Sequence, residues 1–168
     1  MTESEKYMTE ALAEAEKALA AGEVPIGAVM VRNGEIIARG HNLRNTDKNP
    51  LRHAEIDVID AAAKIVGDWR LEDCVLYVTV EPCPMCAGAL LHSRVKRVVF
   101  GAPDLKAGAA GTVLNLFESQ AAYHYATVEK GLLEDECREQ LQAFFKRRRK
   151  EIKAKKQEKK ASEGKQED

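Results

Sequence analysis

Val75-Leu76-Tyr77-Val78-Thr79-Val80 leads directly into Glu81-Pro82-Cys83-Pro84-Met85-Cys86-Ala87-Gly88-Ala89-Leu90-Leu91. The first six residues are β-branched, apolar or aromatic, the chemistry of a buried strand. Pro82 and Pro84 then mark a change of conformation. Proline is tolerated in the first turn of a helix, so a helix opens here and runs through Leu91. Cys83 and Cys86 lie three residues apart at its start, so their thiols share one face about a turn apart.

Upstream, residues 4–21 carry Met8, Ala11, Leu12, Ala15, Ala18 and Leu19 at helical spacing, and Gly22 follows as a C-cap. Two apolar runs, Ala28–Val31 and Glu35–Ala38, flank Asn33-Gly34, the strongest short hairpin signal. Residues 41–51 are polar and read as a loop. A helix begins near His53 and carries Ile56, Ile59, Ala63 and Val66 to Gly67. Downstream, Val95–Phe100 reads as a strand, residues 101–112 as a glycine-rich loop, and Ala126–Glu129 as a last strand. Glu134–Lys150 reads as a final helix, with Cys137, Leu141, Phe144 and Phe145 on its apolar side. Strands alternating with helices predict an α/β sandwich in which helices cover a sheet. Residues 151–168 are rich in Lys, Glu and Gln and are expected to be a disordered tail on a domain formed by residues 1–150.

At 168 residues, 45% of them hydrophobic and 32% charged, the composition is that of one soluble globular domain. No apolar run approaches a membrane span, and residues 1–6 are polar, so the expected compartment is the cytoplasm. The net charge of −1 hides an asymmetry. Residues 146–168 hold 11 Lys/Arg and 5 Asp/Glu, a net of +6, against −7 for the rest of the chain. A basic tail on an acidic body marks a polyanion partner or, in the plainer reading, a solvated helix end.

Four cysteines are present: Cys74, Cys83, Cys86 and Cys137. Cys74 and Cys137 read as small buried hydrophobes. Cys83 and Cys86 read as metal ligands together with His53, which opens a second helix. A helix N-terminus favours the thiolates that a metal requires. The competing reading is a thiol–disulfide pair, but the His53-Ala54-Glu55 motif upstream favours metal. His92 lies about 240° around the helix from Cys86, and Cys74 lies at the far end of a strand. Cys137 belongs to the last helix, His41 and His124 stay open as further ligands, and water is the best reading of the fourth position, the arrangement of catalytic zinc. Glu55 stands two residues after His53, so the two side chains approach from different sides. The metal lowers the pKa of its water to about 7, and a carboxylate beside it can take that proton and redeliver it.

At these residues the chain resembles the cytidine-deaminase superfamily and, more closely, the bacterial tRNA-specific adenosine deaminases. The resemblance covers about residues 5–150. It rests on Gly22–Ala28, Gly40-His41-Asn42, His53–Ile56, Asp68–Leu71, Thr79–Cys83 with Met85–Gly88, Ser93-Arg94, Val98–Ala102 and Gly108–Gly111. It implies a three-layer α/β/α sandwich with a mixed five-stranded sheet, and hydrolytic deamination of adenosine to inosine at the wobble position of a tRNA anticodon. It further implies one Zn2+ per subunit on His53, Cys83 and Cys86, Glu55 as proton shuttle, and a homodimer whose substrate groove uses both subunits. Asn42 matches a base-binding asparagine, and Val24, Pro25 and Val80 match the pocket wall. Asp104 and Lys106 match a loop that handles the RNA backbone. The chain departs from the family pattern at Leu51-Arg52, Pro103 and Tyr123.

Two other functions fit part of this pattern. A deaminase of a free nucleobase or nucleoside, of guanine or cytosine type, would use the same zinc chemistry; the basic C-terminal helix and the Gly108–Gly111 loop speak against it. A non-catalytic RNA-binding module with structural zinc would need no Glu55 and would show a fourth ligand.

Overall fold

A computed structural model of the chain describes residues 1–120 and 124–166; Tyr123 therefore lies outside the described residues. The elements in chain order are α1 (Glu3–Ala20), β1 (Gly27–Arg32), β2 (Glu35–His41), α2 (Ala54–Val66), β3 (Cys74–Val80), α3 (Pro84–His92), β4 (Arg97–Ala102), a 3₁₀ turn (Leu116–Glu118), β5 (Thr127–Lys130) and α4 (Glu134–Gln166). The sheet has five strands in the order β2-β1-β3-β4-β5. β1 is antiparallel to both β2 and β3, whereas β4 runs parallel to β3 and β5. This is the mixed sheet expected of the fold.

Alternation along the strands divides the core in two. Met30, Leu76, Val78, Val98 and Phe100 face one side, against Val58, Ala62, Ala87 and Leu90 from α2 and α3. Val29, Val31, Tyr77 and Val99 face the other, against Met8 and Ala11 of α1 and Cys137 of α4. Each fully buried Val, Leu or Phe side chain contributes about 1.5–3 kcal/mol relative to exposure. The result is three layers, α2/α3 over the sheet over α1/α4.

The hairpin forms where expected. Asn33 and Gly34 both take positive φ, 52° and 77°, as a two-residue primed turn requires. Gly67 closes α2 in the left-handed conformation, and Thr2 caps α1 through the Glu5 amide. Cys74 and Cys137 are buried free thiols.

The end of α4 corrects the sequence expectation. The helix expected to end at Lys150 continues to Gln166. The residues responsible are Lys, Glu, Gln, Ala and Arg, all good helix formers, with no proline and no glycine before Gly164. Low hydrophobicity argued against a packed core, and the residues from Phe145 to Lys165 are indeed exposed. It did not argue against a helix.

Candidate active site

Two helices on the same sheet face begin beside each other. α2 has His53 as its N-cap, and α3 has Cys83. Both caps are extended, with ψ near 153° and 173°, and neither side chain makes a helix-capping hydrogen bond. The parallel step from β3 into α3 carries Cys83 to the end of the strand, and α2 packs against α3. Two helix N-termini therefore converge on one point, and their partial positive charge favours anions there.

The three predicted ligands meet. His53 Nδ1 lies 3.6 Å from Cys83 Sγ and 3.4 Å from Cys86 Sγ. All three donor atoms fall within 4.8 Å of one another. Metal–sulfur and metal–nitrogen bonds of ordinary zinc length, arranged tetrahedrally, place nitrogen and sulfur about 3.5 Å apart. The observed separations match that, so the donor set fits a zinc-type ion. Hydrogen bonds from Cys86 and His53 hold the Cys83 thiol down at about 4, and donating to Cys83 raises Cys86 above the usual thiol range. Cys83 is thus presented as a thiolate.

Among the described residues, no other His, Cys, Asp or Glu joins this group. His41 Nδ1 lies 3.4 Å from Glu14 Oε2, and His124 Nε2 lies 3.2 Å from the Val95 carbonyl oxygen.

Glu55 sits in the first turn of α2, only 4% exposed. Burial pushes its carboxyl up to about 7, with the neighbouring Cys83 thiolate acting in the same direction. A carboxyl balanced near neutrality can both take and return a proton.

The other predicted site residues divide into two groups. Asn42 is buried, follows β2 directly, and donates through Nδ2 to the Val24 carbonyl at 3.5 Å. Its Oδ1 accepts the Arg44 amide at 3.1 Å, a local Asx turn. Val24 and Pro25 thus neighbour Asn42 through that bond and the chain. Val80 is the buried last residue of β3, three positions before Cys83. Asp104 and Lys106 lie on the loop after β4, where Asp104 Oδ1 accepts the amides of Lys106 and Ala107.

Two buried carboxylates that sequence reading did not single out organise this surround. Glu81 is 3% exposed and accepts from Asp104 N, Ala110 N, Thr112 N and Thr112 Oγ1. It ties the 104–112 loop to the residue that precedes Pro82-Cys83. Gly108 passes so close that a Cβ there would sit 2.5 Å from the Glu81 carboxyl carbon. Glu23 does the same for the loop after β2, accepting Asn45 N at 3.1 Å and Thr46 N at 2.9 Å. A clue was present for Glu81: a carboxylate at the end of an apolar strand is rarely buried unless it is partnered. Arg52 also braces the loop before His53, pairing with Asp57 at 2.9 Å and Asp47 at 3.6 Å. Of the two aromatics at the end of the apolar run of α4, Phe144 is buried and Phe145 is 41% exposed.

The chain is similar to known proteins. The family described as MafB19-like deaminase matches residues 2–149. The tRNA-specific adenosine deaminase of Bacillus subtilis is 58% identical over 154 residues, covering 92% of this chain and 96% of that protein. A structure solved in studies of A-to-I editing by tRNA:A34 deaminases at the wobble position of transfer RNA superposes with a TM-score of 0.79. Its sequence is 42% identical, and the match covers 81% of this chain and 99% of that one. A guanine deaminase from Bacillus subtilis is more distant, with a TM-score of 0.56 and 32% identity over 69% of this chain and 85% of that one.

Proposed function

The chain belongs to the MafB19-like deaminase family, among the tRNA-specific adenosine deaminases, and from that premise we infer that it converts adenosine to inosine at the wobble position of a tRNA anticodon. The observation that carries this reading is the convergence of His53, Cys83 and Cys86 within 4.8 Å, with buried Glu55 two residues from His53.

We propose that one zinc ion per chain is held by His53 Nδ1, Cys83 Sγ and Cys86 Sγ. Bound there, it would act as a Lewis acid that makes water more acidic at neutral pH. In the overall reaction, water oxygen bonds to C6 of adenine, the C6–N6 bond breaks, and ammonia leaves. Glu55 takes the proton from the attacking water, delivers it to the ring nitrogen next to C6, and assists protonation of the departing amine. A carboxyl held near 7 by burial suits both directions of transfer at neutral pH. Asn42 bonds the target base, giving up or sharing its present Asx turn. Val24, Pro25 and Val80 line the pocket wall, and Asp104 and Lys106 meet the RNA backbone on the loop that Glu81 anchors.

The same proposal places the chemistry in residues 1–150, with residues 151–168 as a charged extension. It makes the active unit a homodimer in which both subunits contribute to the substrate groove. No helix among the described residues is long and apolar enough to cross a membrane, and the site of action proposed is the cytoplasm, where tRNA is found. Incubation with an anticodon stem-loop carrying a wobble adenosine, followed by nucleoside analysis, tests the activity. Inosine is the expected product, and unaltered adenosine in the presence of bound zinc would reject it.

A further inference from the structure

α4 is one continuous helix whose two halves differ in character. Its first half is fastened to the body: Cys137 and Phe144 are buried, and Gln140 donates to the Leu12 carbonyl at 3.2 Å and to Glu16 at 2.8 Å. From Phe145 to Lys165 every residue is exposed. This distal half has no apolar face to bury, so packing does not account for it.

Its charges are nevertheless ordered. At 100° per residue, Lys146, Arg149, Lys150, Lys153, Lys156 and Lys160 fall within an arc of about 120°. Glu151 and Glu158 project from the other side, and Glu163 lies outside the arc. The one ion pair recorded on this segment among the described residues, Arg147 with Glu151 at 3.9 Å, also lies away from the stripe. Lys146 to Lys160 spans about 21 Å of helix, with a cation on nearly every turn. Residues 146–166 carry 11 basic and 3 acidic side chains, on a chain whose first 145 residues have a net charge of −7. An acidic body repels a polyanion, so attraction must come from where the positive charge is gathered.

We propose that α4 beyond Phe145 is an arm that tracks the phosphate backbone of the tRNA outside the anticodon loop, using the stripe Lys146, Arg149, Lys150, Lys153, Lys156 and Lys160. The proposal rests on tRNA being the substrate and adds where else it is gripped. Regularly spaced phosphates match cations repeated every helical turn, and lysines serve as point charges for phosphate without base readout.

The test compares two variants of the full chain that remove equal charge. One carries R149Q, K150Q, K153Q, K156Q and K160Q; the other carries R147Q, R148Q, K155Q, K159Q and K165Q. Glutamine keeps helix propensity, and circular dichroism checks this. Affinity for whole tRNA and for its isolated anticodon stem-loop is measured by fluorescence over a salt series, alongside KM and kcat. The stripe variant should bind whole tRNA roughly tenfold or more weakly, with a salt dependence shallower by about three to four charges. Its kcat and its stem-loop affinity should change little, and the opposite-face variant should lose much less. Equal losses for the two variants would overturn the proposal in favour of net charge alone. Equal losses on tRNA and stem-loop would place any contact within the loop and overturn it too. No loss in either, or binding of the arm only to vesicles of anionic lipid, would assign the stripe elsewhere. Because binding is read without turnover, a wild-type enzyme that binds tRNA but forms no inosine would reject the functional reading while leaving the arm supported.

Discussion

Replacing Glu81 tests how the surround of the site is held. Its Oε1 accepts Asp104 N and the Thr112 hydroxyl, and its Oε2 accepts Ala110 N and Thr112 N. Glu81→Gln can keep oxygen at the Oε2 position and satisfy both amides there. Its NH2 group then faces the Asp104 amide, which is left without an acceptor, while the Thr112 hydroxyl can turn and accept. One orphaned buried N–H costs about 1–3 kcal/mol, and loss of charge assistance weakens the other bonds. A destabilisation of about 2–3 kcal/mol is expected. Glu81→Ala orphans all four donors and leaves a void beside Gly108, so about 4 kcal/mol or more is expected, at the upper end for single substitutions. Urea unfolding of zinc-loaded protein reads these values. KM for RNA should rise in Glu81→Gln more than kcat falls, because the loop bearing Asp104 and Lys106 loosens while the zinc ligands stay. A Glu81→Gln midpoint shifted by less than about 0.5 kcal/mol would refute the clamp. So would equal effects of Gln and Ala.

Other outcomes follow from the same geometry. Glu55→Ala should keep zinc and fold but lose turnover by about 10²–10⁴-fold or more, since it removes the group proposed to move protons; elemental analysis and single-turnover assays check both halves. Purified protein should contain one zinc per chain, and Cys86→Ala should lose most of it while far-UV circular dichroism stays near wild type, because α3 is held by Leu90 and Leu91 in the core. Sedimentation at micromolar concentration should give about twice the 18.6 kDa chain mass, and a monomer fully active on tRNA would contradict the shared groove.

The local signals in the sequence were strong where one physical rule dominated. Asn33-Gly34 specified the hairpin because few residues tolerate positive φ in succession. The Pro-Cys-Pro-Met-Cys run placed two thiols at a helix start because proline fits there, and the structure brings His53 to them. Sequence alone did not reveal the partners of buried charge. Nothing local states that Glu81 and Glu23 accept backbone amides from loops more than 20 residues away. The final helix was cut short for a related reason: composition tells whether a segment can bury a core, and residues 151–166 need not bury one to stay helical. For Asn42, the proposed base contact draws on a side chain whose oxygen accepts the Arg44 amide and whose NH2 group donates to the Val24 carbonyl, so a local turn and a functional role leave the same trace in the sequence.

Substrate choice is the most direct test of the central claim, because the fold is shared with guanine deaminases while the family is that of the tRNA enzymes. The measurement is kcat/KM of the zinc-loaded enzyme on an anticodon stem-loop with wobble adenosine, against free adenosine, cytidine, cytosine and guanine under the same conditions. Contacts to flanking nucleotides add binding that a lone base cannot supply, so the stem-loop should be preferred by roughly 100-fold or more, with inosine as product. Equal or faster deamination of free guanine or cytosine would contradict the account and make this chain a nucleobase deaminase.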